Sequence, residues 1–464
     1  MPNSRRSGDS RVIEKSGTAP VRARNPYRAI LRREYPEPLI ALLAFILGVW
    51  LWDHYFGKPA GYPPGTEQIA LVKIDRDLRL ADAMAADPAW LRWLAGVDEP
   101  AVAQNAAIEA LEKLSAEKAM TAAGLEAYSI ILADRDDLPV RNILIDALQG
   151  HPEPDITETT LQLANREGTW WHARWLAEIE GETSRPGEWR EIQDQVAKQL
   201  RQRAIAVRSS VWLLCVAGLA FLPRTLRLLA SAPRARPSGY SAGWPPPLGL
   251  VVFLVATLAW IGFTMTLEIG ISTLPGLHPL AGILLDAAAR MLPALIALGL
   301  LFRRPSHAVR VLGMARPLMP QAILGMFSLL VVIDMLLRHL IGPGEAQPGG
   351  GLSLGDAGLW GLAFMLTSAC LLAPLAEEIL YRGVLFRSLW GRLGTLPAAV
   401  ISSGIFALLH FYDGYGLASV GIFGIACALL YAATGSLTAC IGLHVLYNTV
   451  IKLPEWLIYH APLG

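Results

Sequence analysis

Long apolar runs, separated by short polar or Pro/Gly-rich stretches, dominate this chain. They lie at 38–52, 209–229, 247–270, 280–302, 319–341, 357–388, 395–411, 417–434 and 436–452. A helix needs roughly 20 mostly apolar residues to cross a bilayer. The pattern therefore predicts an all-α, polytopic membrane helical bundle of about nine spans.

Residues 57–206 interrupt this pattern. Apolar residues recur there at helical spacing in AVAQNAAIEALEKLSAEKAM, and ILADRDDLPVRNILIDALQG predicts two helices separated before Pro139. The segment carries 25 Asp and Glu residues against 16 Lys and Arg residues. It is predicted to be an acidic, helical soluble domain inserted between the first two spans.

The pattern divides the chain into five parts. The first run is followed by Asp53 and His54 rather than by a small-residue cleavage site, so it is interpreted as an uncleaved anchor. The parts are a basic tail (1–37), a membrane anchor (38–56), the acidic domain (57–206), a span with a basic loop (207–244) and the remaining bundle (245–464).

Arginines concentrate in alternate connecting segments, which orients the bundle. After the even-numbered runs stand Arg224, Arg227, Arg234, Arg236, Arg303, Arg304, Arg310, Arg316, Arg387 and Arg392. Cytoplasmic loops carry an excess of Lys and Arg. The N-terminus is thus predicted to be cytoplasmic and residues 57–206 extracytoplasmic, in a multi-pass protein of the inner (plasma) membrane, with that domain periplasmic in a Gram-negative cell.

Composition agrees with a lipid environment. Of 464 residues, 53% are hydrophobic and only 17% are charged, below the roughly 25% typical of soluble chains. The net charge of +1 indicates no nucleic-acid partner. All four cysteines lie in apolar runs without CxxC spacing, which argues against a disulfide framework and a thiolate zinc site.

Ionisable residues inside membrane spans are candidates for function. Asp286 and Arg290 are four residues apart, as are Asp334 and Arg338, so each pair can neutralise itself on one helix face. Glu268 has no such partner in its own run. The two pairs are therefore interpreted as structural.

A different arrangement occurs in PLAEEILYR, residues 374–382. Glu378 and Arg382 are four residues apart and can pair, whereas Glu377 points about 100° away on a helix. A carboxylate outside the pairing is suited to accept a proton from water. Glu377 is therefore the predicted general base.

Two imidazoles follow on the next apolar runs. FALLH ends at His410, and HVLYN places His444 and Asn448 on one helix face. Helix rise places Glu377 and both histidines within the hydrocarbon core, which permits one shared site. His410, His444 and Glu377 are candidate ligands of a zinc ion, which would activate water.

Together EExxxR, FxxxH and HxxxN, in this order on successive predicted membrane helices, resemble the signature of the CPBP family. That family includes CAAX prenyl-protein endopeptidases and bacterial proteins tied to bacteriocin processing and self-immunity. The resemblance covers roughly residues 245–464. The matching residues are Glu377, Glu378, Arg382, Phe406, His410, His444 and Asn448.

The resemblance implies an intramembrane endopeptidase in which Glu377 activates water. His410 would polarise the water and the scissile carbonyl, while His444 and Asn448 would complete the site and stabilise the oxyanion. Glu378 and Arg382 would support helix geometry or substrate placement, with Phe406 also supporting. Zinc dependence and a metal-independent glutamate mechanism both stay open.

The expected substrate is a membrane or secreted protein cleaved close to the bilayer. Residues before about 200 have no counterpart in the family core, so the outer domain is expected to recruit a substrate or a protein partner. Two alternatives are a non-proteolytic bacteriocin-immunity or scaffold protein, and a proton-coupled transporter using Glu377, Asp286 and Asp334.

Overall fold

The computed structural model describes residues 36–56, 66–117, 120–138, 169–174, 188–234, 244–272, 278–341, 358–410 and 414–461, and all regular structure within them is helical. The all-α membrane fold is confirmed. The helices are α1 (Pro36–Phe56), α2 (Thr66–Ala83), α3 (Ala89–Ala95), α4 (Pro100–Glu117), α5 (Ala122–Arg135), α6 (Glu188–Leu219), α7 (Leu222–Ser231), α8 (Pro246–Ser272), α9 (Pro279–Leu301), α10 (Pro305–Val311), α11 (Pro320–Ile341), α12 (Leu359–Leu393), α13 (Thr395–Leu408), α14 (Gly414–Thr434) and α15 (Leu437–Glu455).

Within the described ranges, six helices are long and apolar enough to cross a membrane: α8, α9, α11, α12, α14 and α15. The run 209–229 instead forms α6 and α7, which bend by 60° at their junction and give a seventh span only if taken together. Pro223 lies in the first turn of α7, where its missing N–H is tolerated. Every predicted apolar run is helical, but the number nine is not confirmed.

Two runs form helices shorter than a full span. The apolar part of α1 is Ile40–Leu51, and α13 has 14 residues, about 21 Å at 1.5 Å per residue. Both still pack into the bundle, since Leu42 and Phe406 are almost fully buried. Because α13 is short, it ends just before His410, which therefore follows the helix instead of lying within it.

Helix α12 is not uniformly α-helical. Segments Met365–Leu372 and Glu378–Phe386 are π-helical and flank the α-helical turn Ala373–Glu377. π-Helical turns are rare and frequently occur at functional sites. The irregularity therefore surrounds the two adjacent glutamates.

The acidic domain has a core of its own. Leu78, Leu111, Ile130 and Trp170 are buried together by α2, α4, α5 and the short helical segment near residue 170. The helix predicted in AVAQNAAIEALEKLSAEKAM is confirmed as α4. The second helix predicted after Pro139, the tail 1–35 and the side chain of Glu268 lie outside the described residues.

Helix α6 leads from this domain into the bundle. Its polar first half packs beside α2, while Leu213 and Val216 in its second half are 69% and 61% exposed, as expected of a lipid-facing surface. Trp212 lies between the polar and the apolar half of α6, and its ring stacks on Trp93 of α3 with the ring centroids 5.0 Å apart. Tryptophan at such a position is typical of a membrane interface.

The arginine-rich connections meet at one end of the bundle. The Thr395 hydroxyl donates to the Ala232 carbonyl at 3.2 Å, and Arg316 donates to the Thr434 carbonyl at 2.9 Å. Arg387 donates to the Val311 carbonyl. The structure thus groups the segments that the charge pattern assigns to one side of the membrane.

Candidate active site

The two adjacent glutamates of α12 have different surroundings. Glu377 ends the α-helical turn and Glu378 begins the π-helical segment. Glu378 is fully buried, whereas 26% of the Glu377 side chain is exposed. Of the two carboxylates, Glu377 is the one that water or a substrate can reach.

Glu378 forms the predicted ion pair with Arg382. Arg382 Nη1 donates to Glu378 Oε1 at 2.9 Å, and Nη2 donates to the Gly424 carbonyl at 3.0 Å. The guanidinium also lies over the Phe406 ring, 4.6 Å from its centroid. A buried ion pair needs such additional partners to offset its desolvation, and here they join α12 to α13 and α14.

His444 completes this buried network from α15. Its Nδ1 lies 2.9 Å from Glu378 Oε1, the same oxygen that accepts from Arg382. An ionised carboxylate only accepts hydrogen bonds, so Nδ1 carries a proton, and in the neutral imidazole Nε2 is then the acceptor nitrogen. Glu378 therefore fixes both the orientation and the tautomer of His444.

The acceptor nitrogen of His444 faces Glu377. Nε2 lies 3.6 Å from Glu377 Oε2, which is too long for a direct hydrogen bond. Two acceptors facing each other at this distance suit a water molecule that donates one proton to each. This arrangement can hold and deprotonate a nucleophilic water.

His410 approaches from a different element. It is the second residue after the end of α13, and its Nδ1 lies 2.7 Å from the Phe406 carbonyl oxygen. A carbonyl only accepts, so Nδ1 donates, and in the neutral ring Nε2 is then an acceptor. The His410 ring packs 4.5 Å from the Phe406 ring, which also lies 6.1 Å from His444. Phe406 thus contacts both imidazoles.

Asn448 lies one turn beyond His444 on α15. Its Nδ2 donates to the Ala369 carbonyl in the first π-helical segment of α12, at 2.8 Å. Ala369 is about two helical turns before Glu377. Asn448 therefore joins α15 to α12 one helical turn from His444, and its second amide proton is not used by this bond.

The donor set agrees with zinc in one respect and not in another. A histidine that binds metal through Nε2 commonly donates Nδ1–H to a carboxylate or a backbone carbonyl, as His444 and His410 do here. A catalytic zinc needs three protein ligands close together, and the described part of the chain holds no group of three or more His, Cys, Asp or Glu with that spacing. The described residues alone therefore do not form a complete zinc site.

The two intrahelical pairs are present as predicted. Arg290 Nε lies 2.8 Å from Asp286 Oδ2, and Arg338 Nε lies 2.9 Å from Asp334 Oδ2. Asp286 also accepts from Ser368 of α12, and Tyr415 of α14 donates to Asp334 at 2.5 Å. Each carboxylate is held by a cation and a neighbouring helix, which favours the structural interpretation over a transporter's proton carrier.

The motifs did not reveal the aromatic walls or the backbone acceptors of the site. Tyr381 packs edge-on against Phe406 at 4.8 Å, and Phe423 lies 4.7 Å from His444. The Gly424 carbonyl of α14 accepts a hydrogen bond from Arg382 of α12. Of these residues, only Tyr381 carried a signal in the sequence, because its i, i+4 spacing from Glu377 places it on the same helix face.

Residues 359–450 match a family model described as Rce1-like, type II CAAX prenyl endopeptidase. The resemblance predicted from the motifs is thereby confirmed over this segment, a shorter stretch than the predicted 245–464. No curated protein and no solved structure matches the chain. The matched segment contains all seven motif residues: Glu377, Glu378, Arg382, Phe406, His410, His444 and Asn448.

Proposed function

We propose that this membrane protein, with its CAAX-prenyl-endopeptidase-like segment 359–450, is an intramembrane endopeptidase that cleaves a membrane or secreted protein. One observation carries the proposal. Within that segment, Glu377 and the acceptor nitrogen of His444 face each other, and a buried carboxylate fixes His444 from behind. This arrangement suits the deprotonation of water.

The proposed reaction uses this chain's own groups. Glu377 accepts a proton from water while the water oxygen forms a bond to the scissile carbonyl carbon, producing a tetrahedral oxyanion. His444 Nε2 accepts the water's second hydrogen bond and orients it. The C–N bond then breaks, and Glu377 returns its proton to the leaving amine.

His410 and Asn448 would stabilise the oxyanion in different ways. The second amide proton of Asn448 is a neutral donor, whereas His410 Nε2 donates only when the ring is protonated. Removing one oxyanion donor typically lowers kcat by about 10²–10³-fold. Asn448 is therefore assigned the first contact with the oxyanion.

The substrate class follows from the site's position between membrane helices. A peptide bond near or within the bilayer is therefore the proposed target. The proposal keeps the N-terminus in the cytoplasm, the acidic domain on the opposite side, and the protein in the inner or plasma membrane.

Comparison of cleaved C-termini tests the proposal. Membrane and secreted proteins from cells expressing wild type, Glu377→Gln or Asp334→Asn would be compared by mass spectrometry of their C-terminal peptides. New C-termini should appear with wild type and with Asp334→Asn, and be lost with Glu377→Gln, since general bases contribute about 10²–10⁴-fold. Equal C-termini in all three samples would favour the non-proteolytic immunity or scaffold protein.

Chelation separates the two mechanisms that stay open. Purified wild type would be assayed on an identified substrate before and after prolonged treatment with a zinc chelator. Unchanged activity supports the glutamate mechanism, whereas loss with recovery on adding zinc supports Glu377, His410 and His444 as ligands. The metal content of the purified protein provides a second measurement that does not depend on activity.

A further inference from the structure

The far end of α15 is held by the acidic domain. After α15 the chain forms a π-helical turn, Trp456–His460. Arg76 of α2 donates to two carbonyls of this end, those of Ile458 at 2.9 Å and Ala461 at 3.2 Å. The contact joins residues more than 380 positions apart in sequence.

Helix α6 holds the same end from a second direction. Arg203 donates to the carbonyls of Leu457 at 3.1 Å and Ala461 at 3.3 Å. The last carbonyls of a helix have no intrahelical donor and carry partial negative charge. Two guanidinium groups from other helices therefore supply both hydrogen bonds and the favourable charge.

Packing and a side-chain bond reinforce these contacts. The Tyr459 hydroxyl donates to Asp77 of α2 at 2.6 Å. Leu80, Leu200, Ala204, Ile458 and Tyr459 form a buried apolar cluster between α2, α6 and the end of α15. This cluster and the two arginines are hereafter called the outer clamp.

The outer clamp acts on the helix that carries the site. His444 and Asn448 lie on α15, which runs without a break from Leu437 to Glu455 and on into the clamped turn. A displacement of one end of a continuous helix moves side chains along it, and a misplacement of about 1 Å can reduce a rate by about a hundredfold. The clamp is therefore placed to set the distance between His444 and Glu377.

We propose that Arg76 and Arg203 are positioning residues: they fix α15 from the acidic domain and so hold His444 and Asn448 against α12. The acidic domain is then a structural part of the catalytic unit and not only a recruiting module. The expected effect on kcat rests on the proposed peptidase function, whereas the expected effect on the position of α15 does not.

The test compares clamp variants with a matched control in the full-length protein in nanodiscs. Arg76→Ala/Arg203→Ala removes the four carbonyl bonds. Arg201→Ala is the control, because Arg201 lies on the same helix α6 but its guanidinium binds Asp87 of the same domain, at 2.7 Å. Hydrogen–deuterium exchange over residues 443–461 and kinetics on an identified substrate are the two measurements.

The clamp variant should exchange about tenfold faster across 443–461, because hydrogen bonds from charged donors are lost, with α13 and α14 unchanged. Its kcat should fall roughly ten- to a hundredfold at nearly constant KM. Arg76→Lys/Arg203→Lys should recover part of both effects, and Arg201→Ala should show neither. If the double variant fails to fold, Tyr459→Phe is used instead, because it removes only the hydrogen bond to Asp77 and weakens the outer clamp less.

Unchanged exchange and unchanged kcat in the clamp variant or in Tyr459→Phe would overturn the proposal, as would equal effects in Arg201→Ala. The two proposals fail separately. If wild type cleaves nothing, the peptidase function fails, while the exchange data still decide whether the acidic domain fixes α15.

Discussion

Glu378 concentrates two interactions on one oxygen inside the bundle. It accepts from Arg382 and from His444, each at 2.9 Å, and is fully buried. Burying a charge is costly unless it is paired, and the pairing here falls on Oε1, since Oε2 is buried without a hydrogen-bond partner among the described residues. The residue thus links the stability of the bundle to the orientation of the imidazole that faces Glu377.

Replacing Glu378 by Gln should reduce stability and activity together. The amide leaves Arg382 buried without a counter-charge, which costs about 3–5 kcal/mol, and it replaces the charge-assisted bond from His444 by a weaker neutral one. Glu99→Gln is the control, since Glu99 is 66% exposed in its ion pair with Arg92 and such pairs contribute about 0–1 kcal/mol. Thermal unfolding and kcat would be measured, and equal unfolding midpoints for the two variants would contradict this description of Glu378.

Helices α13 and α14 approach each other closely near the site. A Cβ placed on Gly424 would lie 2.8 Å from Ser403 Cβ and 3.2 Å from Arg382 Nη2. Small residues allow membrane helices to approach in this way. Here the approach also places the Gly424 carbonyl within reach of Arg382.

Gly424→Ala should therefore separate α13 from α14. Overpacking of this kind costs typically about 1–3 kcal/mol, and the Arg382 bond to the carbonyl would lengthen. Gly404→Ala is a matched control on α13, because a Cβ there meets nothing within 4 Å. The control should be neutral or stabilising by up to about 1 kcal/mol, as alanine favours helix. If the two substitutions changed the free energy of unfolding in the same direction, the close approach of α13 and α14 would be unimportant for stability.

In the molecule as a whole, the acidic domain and the bundle share buried polar contacts. Asp77 accepts from Tyr459, and burial raises the pKa of Asp77 above its ordinary value, with the Tyr459 bond and Lys73 opposing the shift. By contrast, the hydrogen bonds from Arg201 lower the pKa of Asp87. The two carboxyls should make stability depend on pH in opposite directions.

For Asp77 the folded pKa exceeds the unfolded one, so its contribution is full below the unfolded pKa and is lost as pH rises through the folded pKa. Asp77→Asn keeps an acceptor for Tyr459 and cannot ionise. Its stability relative to wild type should therefore increase from acid to neutral pH, measured by thermal unfolding. Asp87→Asn should show the reverse trend, losing stability relative to wild type above the unfolded pKa. A pH-independent difference for both variants would contradict the assignment.

Local pattern was sufficient for the helices and for the pairs within them. Asp286–Arg290, Asp334–Arg338 and Glu378–Arg382 follow from i, i+4 spacing, because a helix places such residues on one face. The bend between α6 and α7 and the short α13 were harder to predict, since hydropathy measures composition and not where a helix bends or ends.

The sequence by itself therefore determined the all-α membrane fold, the resemblance to CAAX endopeptidases and the choice of candidate site residues. The periodicity of a helix and the hydrophobicity of a membrane span depend on residues that are close in sequence, so both can be deduced from the sequence. Three features needed the folded chain: the bond from Glu378 to His444, the contacts of Phe406 with both imidazoles, and the clamp on α15. Each joins residues far apart in sequence, and their distances depend on how whole helices pack.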